Sequence, residues 1–388
     1  MINCKIDIFQ NTAIDFIIFF KKIFVLPSPV HKATDSMKKG KEITIYDIAK
    51  QLNVSPATVS RGLQDHPLVN KKTKKKINDL AEQIGYRTNH FASSLRKQQT
   101  KTIGIIVHEL NSNFITSVLA GIEKITTQEG YDIIITHSSE SFSKEIANAK
   151  NLLYKRVDGL IVSLAADTEN LDHFQPFFEK DVPVLFFDRV EQDGEKTVVV
   201  IDNFKCGYMA TQHLIEQGCK RIAHVTSSLN RNVYAERFRG YKQALMENKK
   251  TFDENLLIIE DLNKAGGIAA ANRILAMKPR PDGVFITNDF VAAFCMRTLM
   301  QNGISVPRDI AIVGFNNDAI SELMEPALTT INYPGDDMGE IAARNLINHL
   351  KGTGNLHQTN TIVIKSNLIV RQSSMRSSVS TAKSSKKS

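Results

Sequence analysis

The residues best placed for chemistry are polar groups that each follow a short apolar run. Asp188 and Arg189 follow VPVLFF (182–187), Asp202 and Asn203 follow VVVI (198–201), and Asn288 and Asp289 follow DGVFIT (282–287). Arg237 and Arg239 open a helix after RIAHV (221–225), while Asn113 and Phe114 lie in the loop after IGIIV (103–107). Carboxylates accept hydrogen bonds and guanidinium groups donate them in a fixed fork. Charged groups converging from several strand ends therefore suit a ligand rich in hydroxyls, with Phe114 offering its face to the apolar side of a sugar ring. Each polar residue also has a plainer reading as a helix cap or turn, strongest for Asp202 and Asn203.

Covalent and nucleotide chemistry find less support. No GxGxxG follows a strand, and neither GxxxxGK[ST] nor GxSxG occurs. A Rossmann dehydrogenase remains the enzyme alternative for such a chain. The four cysteines, Cys4, Cys206, Cys219 and Cys295, form no CxxC and no zinc spacing. They read as reduced, partly buried thiols of a cytoplasmic protein, and no metal or cofactor is expected.

The apolar runs dictate the scaffold. Besides those above, DIIIT (132–136), DGLIV (158–162), LLIIE (256–260) and IAIVGF (310–315) are strand-like, and amphipathic stretches separate most of them. Continuous apolar runs indicate strands buried on both faces of parallel sheets. So many strands exceed one comfortable sheet, which predicts two lobes. Open α/β sheets bind ligands at the carboxyl ends of their strands, where the polar residues lie. A further strand near Asn360–Val370 predicts more than one crossing between lobes.

Charge divides the chain. From Met37 to Lys101 fourteen Lys/Arg stand against five Asp/Glu, and Arg371–Ser388 carries five cations and no acid. With a total of +8, the stretch 102–370 is left at −7. A basic head on an acidic body points to a polyanionic partner for the head. Within it, TIYDIAKQLNVSPATVSRGL (44–63) carries the pattern of two short helices. Thr44 is an N-cap with Asp47 in the capping-box position, and Ile45, Ile48, Ala49 and Leu52 make one apolar stripe. Ser55 caps a second helix that has Pro56 at its first position. Val59 and Leu63 face inward there, whereas Pro56, Ala57, Ser60 and Arg61 face out. A third helix, about Lys71–Ile84, crowds five lysines into its first half against the helix dipole, a choice that nearby phosphates explain. Asn89 then caps a two-turn helix with Ala92 and Leu95 on one side, too short to be stable alone in water. Leu95 serves either as packing against the neighbouring domain or as an apolar wedge in a minor-groove step.

These segments resemble the LacI/GalR family of transcriptional regulators. TIYDIAKQLNVSPATVSRGL is similar to the family headpiece and NHFASSL (89–95) to its hinge helix, and the likeness runs almost to Arg371. The resemblance implies an all-α helix-turn-helix headpiece with a hinge helix. This is joined to an α/β, two-lobed, periplasmic-binding-protein-like body of two parallel sheets with helices on both faces. It places Pro56, Ala57 and Arg61 at base-reading positions, and Thr44, Tyr46, Ser55, Thr58, Ser60 and Asn70 on phosphates. Leu95 becomes the minor-groove wedge with Ala92 beside it. Ser93 stands where the family has Arg, and Gly62 replaces a β-branched residue. Direct readout then rests on Arg61, bidentate to a guanine.

In the body, the resemblance assigns a small-molecule effector to Asn113, Phe114, Asp188, Arg189, Asn203, Arg237 and Asp289, in the manner of sugar-binding members, with a purine as the alternative. Expected partners are a pseudo-palindromic duplex operator, an effector that is a sugar or related molecule, and a second copy of the chain. The tail has no leucine heptad for a tetramer. The expected domains are an uninformative extension (1–36), headpiece (37–88), hinge helix and linker (89–101), effector body (102–370) and disordered basic tail (371–388). The N-lobe would take about 102–201 plus 332–360, and the C-lobe 202–331 plus 361–370. A periplasmic sugar-binding protein would need a signal peptide and no headpiece, and the chain shows the reverse. The apolar stretch Ile14–Leu26 is too short to span a bilayer.

Overall fold

The computed structural model describes residues 43–86, 99–191, 196–358 and 361–376. The chain divides into two compact units at Asn89–His90. The hinge positions Asn89, Ala92, Ser93 and Leu95, the extension 1–36 and the end of the tail lie outside the described residues.

In the first unit, α1 (Ile45–Leu52), α2 (Pro56–Leu63) and α3 (Lys71–Gln83) pack around Ile48, Ala49, Val59, Ile77 and Ala81. The predicted caps are present. The Asp47 carboxylate accepts from the Thr44 amide and hydroxyl, both at 2.8 Å. Ser55 Oγ accepts from the Thr58 amide at 3.1 Å; a further cap, not read from the sequence, is Asn70, which accepts from the Thr73 amide at 2.8 Å at the start of α3. Gly62 shows why α2 lies so close to α3: a Cβ there would stand 2.5 Å from Ile77 Cδ1.

The second unit carries two six-stranded sheets. The N-lobe strands are β1 (Thr102–Val107), β2 (Asp132–His137), β3 (Gly159–Val162), β4 (Val184–Phe187) and β5 (Val198–Ile201), with β11 (Thr361–Ile364) last. They lie in the order β11-β5-β4-β3-β1-β2, all parallel. The C-lobe strands are β6 (Ile222–Thr226), β7 (Leu257–Ile259), β8 (Gly283–Ile286), β9 (Ala311–Asn316), β10 (Thr329–Asn332) and β12 (Leu368–Ile369). Their order is β12-β10-β9-β8-β6-β7, and only β12 runs antiparallel. Near-continuous burial of β1, β3, β4, β6, β8 and β9 matches the apolar runs. In each sheet the order reverses beside the first strand, between β2 and β3 around β1 and between β7 and β8 around β6. Such switch points leave a crevice at the strand ends.

Four helices position the site. In the N-lobe, α4 (Asn113–Gln128) packs on α12 (Gly335–Leu350). In the C-lobe, α7 (Asn203–Glu216) packs on α8 (Asn232–Glu247). Further helices are α5 (Phe142–Tyr154), α6 (Gln175–Phe178), α9 (Lys264–Ala276), α10 (Asp289–Gln301) and α11 (Ile320–Leu323). Gly207 and Gly240 allow α7 and α8 to touch backbone to backbone: a Cβ on Gly207 would sit 2.1 Å from the Arg237 carbonyl oxygen. That close approach fixes Arg237 against the start of α7.

Two boundaries differ from expectation. Strand β11 pairs with β5 in the N-lobe, so the last crossing falls at 365–367 rather than at 360. Residues 371–376 are folded rather than part of a loose tail. Ser373 and Ser374 are fully buried, and Ser373 Oγ donates to the Ile312 carbonyl at 2.7 Å. Serines in a basic stretch look like tail, yet here their hydroxyls satisfy the end of the C-lobe sheet. Among the described residues no helix is long and apolar enough to cross a membrane.

Candidate functional site

On the headpiece, the predicted outward residues of α2 are outward. Ala57 and Arg61 are exposed, Pro56, Thr58 and Ser60 half-buried, and Val59 and Gly62 buried beneath them. Thr44, Tyr46, Ser55 and Asn70 are also exposed, Tyr46 with 68% of its surface. Thr44, Ser55 and Asn70 spend their side chains on capping, so what each helix start offers an anion is its remaining backbone amides and its dipole. Of the α3 lysines, Lys74 is held in the fold, donating to Asp65 Oδ1 at 2.7 Å and to the Asp65 carbonyl at 2.9 Å. It keeps the exposed Asp65 carboxyl below its ordinary range. Lys71, Lys72, Lys75 and Lys76 remain exposed.

In the body, Asp188, Arg189, Asn203 and Arg237 converge where the lobes meet, each buried. Asp188 follows β4 with a left-handed backbone (φ 59°). Asp tolerates this conformation, and such strain collects at functional positions. Its carboxylate accepts from the Tyr333 hydroxyl, and its carbonyl accepts from the Asn232 carboxamide at 3.0 Å. Burial pushes the carboxyl up, while Arg189, Tyr333 and Arg237 pull it back. Arg189 does not turn to Asp188. Its Nη1 forks onto Glu140 at 2.8 and 2.7 Å, and its Nη2 donates to the Tyr234 hydroxyl at 3.0 Å. Burial opposes its charge, but Tyr234, Glu140 and Asp188 outweigh that cost and the guanidinium stays charged.

Arg237 lies within α8, which starts earlier than the sequence pattern implies, so Arg237 and Arg239 do not open it. Arg239 points to solvent and pairs with Glu236. Arg237 Nε donates to Asn203 Oδ1 at 2.8 Å and Nη1 to the Thr287 carbonyl at 3.3 Å. Its guanidinium carbon lies 3.5 Å from the Phe315 ring centre and 5.3 Å from that of Tyr333. Of the two residues read as possible caps, Asp202 is the cap, accepting from the Lys205 amide at 2.8 Å, whereas Asn203 belongs to the cluster. Asn113 and Phe114 form the first turn of α4 rather than a loop, because Ser112 caps the helix. Asn113 is exposed, while Phe114 is buried and stacks on Tyr333 with centroids 4.0 Å apart.

Asp289 finds its partners within its own lobe. It is fully buried in the first turn of α10, with both carboxylate oxygens engaged inside the C-lobe. The Thr330 hydroxyl donates to Oδ1 at 2.8 Å and the Asp318 amide to Oδ2 at 2.9 Å. Burial, only partly offset by Thr330, pushes its carboxyl up to about 7. It braces the ends of β9 and β10 beneath Phe315.

Two family models match: bacterial regulatory proteins of the lacI family over residues 44–89, and a periplasmic binding protein-like domain over residues 211–374. The catabolite control protein A of Priestia megaterium is 33% identical over 309 residues, covering 79% of this chain and 92% of that protein. The chain belongs to the LacI family. A solved complex of the transcriptional regulator CelR with cellobiose matches at 27% identity and a TM-score of 0.64, over 85% of this chain and 99% of that one. The lac repressor dimer bound to operator shares the fold at a TM-score of 0.77 and 22% identity, over 87% of this chain and 100% of that one. This LacI-family chain is therefore a DNA-binding transcription regulator with a small-molecule effector domain, not an enzyme.

Several members of the cluster escape sequence reading. Glu140 has positive φ in the turn after β2, Tyr234 sits one turn before Arg237, and Phe315 ends an apolar run. Tyr333 carries the clearest overlooked signal, since it stands before Pro334, where the chain passes from β10 to α12. The described cysteines are all buried and unpaired, with thiols pushed up to about 11 or 12 by burial, as inert structural thiols should be. Among the described residues no group of His, Cys, Asp and Glu is arranged to hold a metal ion.

Proposed function

We propose that this LacI-family protein is a repressor whose operator affinity is set by a sugar or sugar derivative held between the lobes. The observation that carries this reading is the convergence of buried charge from both lobes. Asp188 and Arg189 come from the N-lobe and Asn203 and Arg237 from the C-lobe, and Asp188 and Arg237 both meet Tyr333, on which the Phe114 ring stacks. A polyhydroxylated ring would exchange its hydrogen bonds to water for charge-assisted ones there, which are about twice as strong as neutral ones. The cellobiose complex of the similar regulator CelR supports a sugar. Asp188, Arg237 and Phe114 would make the main contacts, with Arg189, Asn203 and Asn113 around them. Asp289 would hold the strand ends in place from below.

The headpiece would act in the cytoplasm on duplex DNA, with Arg61 reading a base from the exposed edge of α2 and Pro56 and Ala57 packing against neighbouring bases. Thr44, Tyr46, Ser55, Thr58, Ser60 and Asn70 would approach phosphates. Two headpieces in a homodimer would read a pseudo-palindrome, as the operator-bound lac repressor dimer supports. Asn89, Ala92 and Leu95 would form the hinge that a marginally stable helix makes switchable.

Fluorescence anisotropy tests this on duplexes from immediately upstream of the protein's own gene at 0.1 M salt. Wild type is expected to prefer one duplex over its scrambled counterpart, and Arg61→Ala to erase about 1–3 kcal/mol of that preference. One sugar of a panel should shift the binding curve of wild type but not of Arg237→Ala. Equal affinity for specific and scrambled duplexes would sink the regulator reading; a curve unmoved by every sugar would sink the effector reading.

A further inference from the structure

The meeting place of the lobes already contains a ring with a hydroxyl on its edge. Tyr333 follows β10 and lies on the chain's passage from the C-lobe sheet to the N-lobe helix α12. It is 7% exposed. Its ring stacks on Phe114 at 4.0 Å and 17° and meets Phe315 edge-on at 5.6 Å and 89°. The Arg237 guanidinium lies 5.3 Å from its centre, and its hydroxyl donates to Asp188 Oδ1. The phenol thus holds both groups that the site would offer a ligand, the flat apolar face of Phe114 and the carboxylate acceptor of Asp188.

We propose that Tyr333 is the specificity-determining residue of the effector site, an internal competitor that the effector must displace. This rests on the interlobe effector reading of the preceding section. The effector must then replace what the phenol supplies. It needs a ring with one flat apolar face for Phe114 and an O–H or N–H donor on its edge for Asp188. An open-chain polyol regains the hydrogen bond but not the stack, and an apolar ring regains the stack but leaves a buried carboxylate without its donor. A pyranose and a purine both meet the requirement, so the two sources are separated by assay. Displacement also carries a structural signal, because Tyr333 is bonded at both ends. Its amide donates to the Asn316 carbonyl of β9 at 3.2 Å, and its hydroxyl holds the loop after β4 in the other lobe.

Calorimetry on the full chain tests the proposal with cellobiose and hypoxanthine as probes, in wild type, Tyr333→Ala and Tyr333→Phe. For whichever probe binds, Tyr333→Ala should bind at least tenfold tighter than wild type. Tyr333→Phe, which keeps the ring but loses one hydrogen bond, should gain about fivefold. Adding Asp188→Asn should remove most of the Tyr333→Ala gain. If Tyr333→Ala does not fold, the Tyr333→Phe gain carries the test. The free molecule p-cresol, the excised side chain, provides a control independent of any effector, since an engineered apolar cavity binds a small apolar ring. It should raise the melting temperature of Tyr333→Ala and not that of wild type. A p-cresol response without binding of either probe leaves the internal occupant standing and tells against the ring-sugar and purine effectors. A probe that binds wild type as tightly as the variants overturns the proposal while the effector reading stands. Folded Tyr333→Ala that ignores p-cresol and both probes overturns both.

Discussion

Asp289 gives the sharpest test of the energetics, because its environment fixes the sign of a pH dependence. The carboxyl is fully buried, and burial raises it from an ordinary 3.8 to about 7 in the folded chain. The folded state therefore holds this proton over a range in which the unfolded state has released it. Its stabilising contribution is complete below about pH 4 and is lost as pH rises through 7. Between pH 5 and the folded value lie two units, worth about 3 kcal/mol at 1.36 kcal/mol per unit. Asp289→Asn mimics the protonated form: its carbonyl can accept from the Asp318 amide while its NH2 donates to the Thr330 hydroxyl. Urea unfolding of both proteins at pH 5 and pH 8 isolates the effect of this site, since the titrations of groups remote from Asp289 cancel in the difference. Relative to wild type the variant should gain about 3 kcal/mol between pH 5 and pH 8, on top of the roughly 1.5 kcal/mol that wild type has already lost at pH 5 by ionising in the unfolded state. Stability differences that stay constant across the range would show that the buried carboxyl does not titrate between the two states, and the assignment of its environment would fall. Asp318, raised to about 6 by burial, repels an ionised Asp289, so its titration belongs to the same difference and acts in the same direction.

Further consequences concern the headpiece. Replacing Lys71, Lys72, Lys75 and Lys76 together by Ala should weaken binding to all duplexes alike and flatten the salt dependence by about 0.9 in log K per log salt for each phosphate no longer neutralised; anisotropy titrations from about 50 to 300 mM salt check this, and an unchanged slope would place α3 away from the DNA. Gly62→Val should lower headpiece stability by about 1–3 kcal/mol, because its Cβ would stand 2.5 Å from the buried Ile77 Cδ1 and either that side chain or α2 must shift within the packed core. A headpiece melting curve indistinguishable from wild type would show that Ile77 yields freely.

How much of this was legible in the sequence depended on whether the signal was local. The nine apolar runs all became strands, because parallel strands buried on both faces need uninterrupted apolar sequence. Thr44 and Ser55 announced their helices because a cap is satisfied within three residues. Strand β10 was not foreseen. Its residues Thr329 and Thr330 read as loop, yet each hydroxyl finds a buried partner, Thr330 on Asp289 and Thr329 on the Arg371 carbonyl. The site was legible as positions but not as partnerships. That Asp188 and Arg237 lie past strand ends follows from topology. That Arg189 would turn to Glu140, 49 residues earlier, follows only from which groups burial leaves otherwise unpaired. The partners of Asp289 were hidden for the same reason: that Thr330 and the Asp318 amide donate to this strand-end carboxylate follows only from the folded C-lobe.

One helix emerges as the element on which the lobe geometry depends. From the start of α8, Asn232 bridges to the Asp188 carbonyl and the Val190 amide, and Tyr234 accepts from Arg189. The preceding Arg231 donates to the carbonyls of Ala166 and Thr168. All these partners belong to the N-lobe. One turn after Tyr234, Arg237 bonds Asn203 and the Thr287 carbonyl in the C-lobe itself. The first turn of α8 is thus tied to one lobe and the next to the other, with no intervening loop to absorb a difference. A ligand that re-aims Arg237 acts on a rigid element whose other end grips the N-lobe through at least five hydrogen bonds. A local exchange of partners in the cleft must then either break those bonds together or move the N-lobe, and two discrete arrangements of this kind are what a switch requires.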